Sequence, residues 1–583
     1  MIFFAFRNTW KPLSFKTNGL RSIMAVAAFV LLAACLSGGV AQTKGSSREY
    51  FDGHNHNFSG ILPYYAYADL AAFIANPADP SKVDLEHRRQ LWTFLANYQY
   101  QGSRFSPGAL ATVKLYGKDP DKLTEAQVNG ALARVLTTTP WTDFDSAYAF
   151  RGAPISGFLA SVYHDDARLN KDVCDAAIIE LAVTHTGYSE QFIFFVGGWG
   201  PAPSSRLDNI RCFMKEPAAL AAAGKFKALG VSEPKIKSLI MTNTSDLGSV
   251  SRDGTDWIQY GTTGQCTPTK PVLRIAPDDI RNGLLGRDSD GAAVIAPDEE
   301  RAFFDEVVGI DTAGPEITCF TDASDNVNKG AGMDNYKRLV RAVYSASRER
   351  RGAGWHGKLL VHTHVGEGGI RYSYDTASGD LFSTFPGIQI DPATGVAVHI
   401  EQSRENIRRL LQAVRELKTE IKDLDDFVIF RFGHVTHADK QEAQGMKELG
   451  IEADINLESN IATRAYWTKA LAKPAPEPLN EQQQLEYNDL VAKVLNSGHA
   501  AETLADHSLK YMLEAGVRTL LGSDGGGEEH SNIAREYQLV SELIAYWKVH
   551  DDGFKNTKDV SVKTIDRNVE EHLKDMRADK KVR

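Results

Sequence analysis

The stretch GKLLVHTHVGEGG, residues 357–369, decides how the chain folds. It opens on an aliphatic run, passes through two histidines at i and i+2, and ends in a glutamate among glycines. A near-continuous apolar run closed by a polar cluster reads as a strand buried on both faces. Six other segments repeat the pattern: YSEQFIFFVGG (188–198), KIKSLIMTNTSD (235–246), EVVGIDTAGPE (306–316), DFVIFRFGHVTHAD (426–439), GIEADINLESN (450–460) and GVRTLLGSDGGG (516–527). The short run before His54, in FDGHNHNFSG (51–60), makes eight. Amphipathic stretches such as NIRRLLQAVRELKTEIKDL and HSLKYMLEAG lie between them and read as helices. Buried parallel strands alternating with helices predict an α/β fold, a (β/α)8 TIM barrel. Residues 64 to about 175 read as mainly helical, and the segments near 247–300, 370–400 and 463–505 as insertions. The expectation is therefore a barrel with helical insertions.

Composition narrows the function classes. With 43% hydrophobic and 24% charged residues, the chain can bury a sizeable core and is neither disordered nor fibrous. A net charge of −10 argues against a nucleic-acid partner, which selects basic faces; a small-molecule substrate is expected instead. Arg7, Lys11, Lys16 and Arg21 precede the apolar run IMAVAAFVLLAAC, followed by LSGGVAQ. Basic, apolar and small residues in that order read as a bacterial secretory leader over residues 1–41, with the mature barrel in 42–583. Two cleavage readings stand. LAAC (32–35) resembles a lipobox, which would lipidate Cys35 and attach the protein to a membrane; GVA (39–41) suits ordinary signal peptidase. Either way the protein is expected in the periplasm, or as a lipoprotein of the outer membrane. Cys174, Cys212, Cys266 and Cys319 remain, as two disulfides in one of three connectivities or as buried thiols. The sequence contains no CxxC pair to suggest a cysteine metal site. Oligomeric state is not legible.

In a (β/α)8 barrel the chemistry sits at the C-terminal ends of the strands. Those ends carry His54 and His56, Gly314, His364 with Glu367, His434, Asn460 and Asp524. Residues i and i+2 of a strand face the same side, so His54 with His56, and His362 with His364, can both project into the mouth. Barrel closure would bring Asp524 beside the first strand. A lone histidine at such a place is more often a hydrogen-bonded core residue; four matching strand ends favour a site for one divalent metal.

In order along the chain, these pieces resemble the adenosine deaminase-like branch of the metal-dependent amidohydrolases. His54-Asn55-His56 resembles the HxH motif after the first strand, and VVGIDTAGPE the fourth-strand segment. HVGE (364–367) resembles HAGE, RFGHVTHAD resembles RxGHGxH, and LGSDGGG falls where the family carries an aspartate pair. The resemblance runs from about residue 50 to the end of the chain. It implies that His54, His56, His364 and Asp524 bind one Zn2+, which lowers the pKa of a bound water to ~7. His434 would help deprotonate and orient that water. Glu367 would protonate the purine ring nitrogen, which requires a raised pKa, and the backbone N–H of Gly314 would contact the base. His362 has no role in the family pattern and reads as a packed strand histidine.

Two departures concern the substrate. Asp524 is followed by Gly525, Gly526 and Gly527, so no second aspartate is available to the purine. Where the family has LDG after HxH, this chain has NFSG and offers Phe58 and Ser59. Losing polar contacts to a ligand alters specificity strongly. The expectation is a zinc-dependent hydrolytic deaminase of adenosine or a related aminopurine. The alternatives are an amidohydrolase for another C–N or amide bond, and a non-catalytic nucleoside-binding lipoprotein.

Overall fold

The computed structural model describes residues 48–56, 119–138, 184–194, 203–243, 277–313 apart from 289, 331–366, 373–375, 380–384, 398–462, 500–524 and 533–577 apart from 558, with single positions between 85 and 182. The fold lies in the unit Glu49–Arg583. Among the described residues, eight strands form one sheet in sequence order. They are β1 (Tyr50–Asn55), β2 (Thr186–Phe194), β3 (Lys235–Asn243), β4 (Val307–Ala313), β5 (Leu359–Val365), β6 (Val428–His434), β7 (Glu452–Ile455) and β8 (Thr519–Leu521). Every neighbouring pair runs parallel. The ring closes where Asn55 bridges Asp524. There the Asp524 N–H donates to the His54 carbonyl and the His56 N–H to the Asp524 carbonyl, both at 2.7 Å. Asp52 fastens the same seam, accepting from the Ser523 N–H at 2.9 Å and the Ser523 hydroxyl at 2.6 Å. The fold is a (β/α)8 barrel. A two-stranded antiparallel hairpin, Ser373–Asp375 with Asp380–Thr384, forms a separate sheet.

Helices pack outside the strands for the reason their sequences announce. In α1 (Ala331–Gly352) the buried residues Met333, Tyr336, Leu339, Val340, Val343 and Ala346 recur at helical spacing. In α2 (Val398–Glu420) Ile407, Leu410, Leu411, Val414 and Leu417 do the same. Each such side chain contributes about 1.5–3 kcal/mol when fully buried. Their stripes meet the outward residues of the strands, Val361 and Val365 of β5 or Val428, Phe430 and Phe432 of β6. A separate cluster gathers Phe192, Leu239, Met241, Val308, Leu360 and Ile429 with Met576. Met576 ends the last helix of the fold (Val562–Met576), which therefore contributes to the barrel interior. No helix among the described residues is long and apolar enough to cross a membrane.

One interior layer brings buried charges of both signs together. Arg431 of β6 contacts Glu190 of β2 at 2.6 Å and Glu452 of β7 at 3.3 Å. His572, from the last helix, lies 2.9 Å from each of the same two carboxylates. All four are buried. With Arg518, 2.8 Å from Glu452, the two glutamates face three basic partners, which is how a buried charge cluster avoids an uncompensated ion.

Candidate metal centre

The strand ends deliver their histidines as alternation requires. In β5, Leu360 joins the interior cluster and His362 and His364 continue its phase, while Val361 and Val365 face the helices. His54 Nε2 stands 3.3 Å from Asp524 Oδ1. His56 Nε2 stands 3.4 Å from that oxygen and 3.3 Å from His364 Nε2, and His434 Nε2 lies 3.9 Å from Asp524 Oδ2. Ligand atoms of His54, His364, His434 and Asp524 all lie within 4.8 Å of one another, and all four residues are buried.

Two of the four hold strained backbone. His434 has φ 63° and Asp524 φ 67°, a left-handed region that costs a residue other than glycine about 1–3 kcal/mol. Strict alternation along β6 after Arg431 would aim His434 outward; the left-handed turn offers a way to bring it back. Glycines make the room. A Cβ at Gly522 would fall 2.2 Å from His54 Cβ, and one at Gly433 2.8 Å from His362 Cε1.

Each of the four is also fixed from behind. His54 Nδ1 donates to Asp454 at 2.8 Å. His364 Nδ1 donates to Asp311 and to the Thr312 carbonyl, both at 3.1 Å. His434 Nδ1 donates to the Asn460 amide oxygen at 2.9 Å, and the Ser459 hydroxyl donates to Asp524 Oδ2. Outer partners on Nδ1 fix the tautomer and leave Nε2 to the centre, the arrangement around histidines that bind metals. His54 Nε2 is a buried nitrogen with no hydrogen-bond partner among the described residues. Imidazole nitrogens with a carboxylate oxygen form a donor set that fits zinc or a similar divalent ion.

The electrostatics agree with that fit. Burial pushes the His56 pKa down to about 3, and burial beside His54 and His434 lowers that of His364, so both are neutral donors near pH 7. Burial acts against protonation of His54 too, yet Asp454 and Asp524 outweigh it and hold its pKa well above the ordinary histidine value. Asp524 resists its own desolvation because His54, His434 and His56 surround it, and stays well below the usual carboxylate range. The pocket of carboxylates calls for positive charge where His54 and Asp524 meet.

Of the four residues expected as ligands, His54, His364 and Asp524 have ligand atoms within 4.8 Å of one another. His434, expected as a proton acceptor, stands within the same distance, and His56 Nε2 lies 3.4 Å from Asp524 Oδ1 and 3.3 Å from His364 Nε2. Glu367, Gly314, Ser59 and Phe58 lie outside the described residues, as does Cys35. Cys212 is disulfide-bonded; Cys174, Cys266 and Cys319 lie outside the described residues. Sequence reading missed Asp311, Asp454 and the partners of His362. Its one available signal was an acid in the interior phase of two apolar strands, GIDTA and EADI.

No protein-family model matches the chain, and no curated protein does. Solved structures that resemble it are adenosine deaminase-like and amidohydrolase proteins at low identity. One is ADAL from Arabidopsis complexed with IMP, at 12% identity over 90% of this chain and 98% of that one, with a TM-score of 0.36. An adenine deaminase from Arthrobacter aurescens shares 12% identity over 80% of this chain and 94% of that one, with a TM-score of 0.31. An amidohydrolase from Burkholderia ambifaria with bound Zn shares 14% over 92% and 98%, with a TM-score of 0.30. Scores this low say nothing about the substrate of this chain; its fold rests on the strand order and its site on the side chains that converge there.

Proposed function

We propose that the chain is a metal-dependent hydrolase that removes ammonia from an aminopurine or related cyclic amidine, with adenosine the first substrate to test. One observation carries the reading: His54, His364, His434 and Asp524 converge at the C-terminal end of a (β/α)8 barrel, each held by an outer partner. Bound there, a divalent ion such as Zn2+ supplies a water acidified to a pKa of ~7. His54, His56, His364 and Asp524 are the proposed ligands, and His434, tied to Asn460 through Nδ1, is the proposed proton acceptor through Nε2, beside ionised Asp524. Glu367, two residues beyond Val365 in the sequence, is the proposed acid for the ring nitrogen, and Gly314 and Ser59 are proposed to contact the substrate. A second reading, hydrolysis of another C–N or amide bond, is favoured by Gly525, Gly526 and Gly527, which remove the side chain expected to read a purine.

The test is ammonia release by the zinc-loaded protein across a panel of nucleosides and nucleobases, beside Glu367→Gln. Release from an aminopurine is expected, with the variant slower by about 10²–10⁴-fold, the usual reach of general acid catalysis. Stoichiometric zinc without release from any purine would end the deaminase reading and turn the search to other amides. Binding of a nucleoside without turnover would favour a receptor.

A further inference from the structure

His54 and His364 reach the centre from different strands, β1 and β5, and each leans on its own carboxylate, Asp454 and Asp311. Between those two carboxylates lies His362. Its Nε2 lies 2.7 Å from Asp454 Oδ2, and its Nδ1 pairs with Asp311 Oδ1. Asp454 therefore holds His54 with one oxygen and His362 with the other. Asp311 Oδ1 accepts from His362 and His364 together. The result is an unbroken buried chain, His54–Asp454–His362–Asp311–His364, drawn from β1, β7, β5 and β4, none of whose members is more than 4% exposed.

We propose that His362 is a positioning residue, a clamp that joins the two ligand-supporting carboxylates and so sets the spacing and tilt of His54 and His364 about the metal. This rests on the metal-centre reading above. Asp454, held through both oxygens, cannot swing about its side-chain torsions without breaking a bond, whereas Asp311 is held through Oδ1 alone, by His362 and His364 together. His362 also falls in two other groups that could hold a metal, with His54 and Asp454 and with Asp311 and His364; its role here is support, because both ring nitrogens pair with carboxylates. The neighbouring strand is shaped around it: a Cβ at Gly433 would come within 2.8 Å of His362 Cε1 and 2.9 Å of its Nε2. An apolar side chain would fill the same volume with no need for two buried acids at its flanks. Filling space alone does not account for this histidine.

The experiment compares the full chain with His362→Phe, His362→Gln and His54→Ala. Zinc affinity is read by competition with a chromophoric chelator, and ligand geometry by the visible spectrum of the cobalt(II)-loaded protein. Far-UV circular dichroism and thermal melting report the folded fraction. Loss of an outer partner weakens metal binding by about 10–100-fold, and that loss is expected for folded His362→Phe, with a shifted cobalt spectrum. His362→Gln can serve only one carboxylate well and is expected to lose affinity by a smaller factor; it decides the matter if the phenylalanine variant does not fold. A residue that merely packs would lower the melting temperature and leave zinc affinity per folded molecule and the cobalt spectrum unchanged, which would overturn the clamp. The His54→Ala control separates the two ideas. Unchanged zinc affinity there sinks the metal centre and the clamp with it; loss there, with both His362 variants unaffected, sinks the clamp alone.

Discussion

Glu306 shows how much a single buried side chain decides. It receives the Ser238 hydroxyl at 2.8 Å, and Lys237 stands 4.0 Å away. Burial pushes its carboxyl up to about 7 from an ordinary 4.5. Between those values the folded protein binds a proton that the unfolded chain has released, so stability falls as pH rises across the interval and levels off above it. The full loss is on the order of 3 kcal/mol. Glu306→Gln is expected to remove that part of the slope in urea unfolding at pH 5 and pH 8; equal slopes in parent and variant would refute it. The metal-competent residues were legible because each ends a strand in a recognisable cluster. His362 was not, because its partners stand 51 and 92 residues away in sequence. The chain could be read to bring a histidine inside; what it would meet there depended on the registers of three other strands.

At the level of elements, the strands were easier to read than the segments that follow them. GIEADINLESN reads as a strand closed by a polar cluster; Glu452–Ile455 is extended, and Leu457–Ala462, which holds that cluster, is already helical. The cause is distant: the Glu536 carboxyl accepts from the N–H groups of Leu457 at 2.9 Å and Glu458 at 2.6 Å, donors that a helix start leaves without an internal partner. The helix after β6, Lys440–Glu448, starts for a local reason instead. Asp439 accepts from the Gln441 N–H at 2.8 Å, and Glu442 accepts from the Asp439 N–H at 2.9 Å. Asp439→Ala is expected to cost about 1 kcal/mol, seen as a lower melting temperature with zinc affinity intact. A parallel fall in zinc affinity would show that this cap also supports His434.

For the whole molecule, eight similar segments were enough to predict the barrel, but not that its last helix would reach inside it. Arg431→Met would leave Glu190 and Glu452 with reduced compensation, and breaking a buried pair from one side costs about 3–5 kcal/mol. Chemical denaturation is expected to show that loss, and a change below about 1 kcal/mol, the scale of an exposed pair, would mean the layer tolerates uncompensated charge. The closing seam has a consequence of its own. Asp52 and Ser523, which fasten it, are 471 positions apart, and His572 lies 382 beyond Glu190. A chain emerging from the ribosome exposes His54 long before Asp524 has been synthesised. No nascent fragment that stops short of Asp524 can complete the proposed ligand set, so under that proposal competence waits for the final segments of the chain.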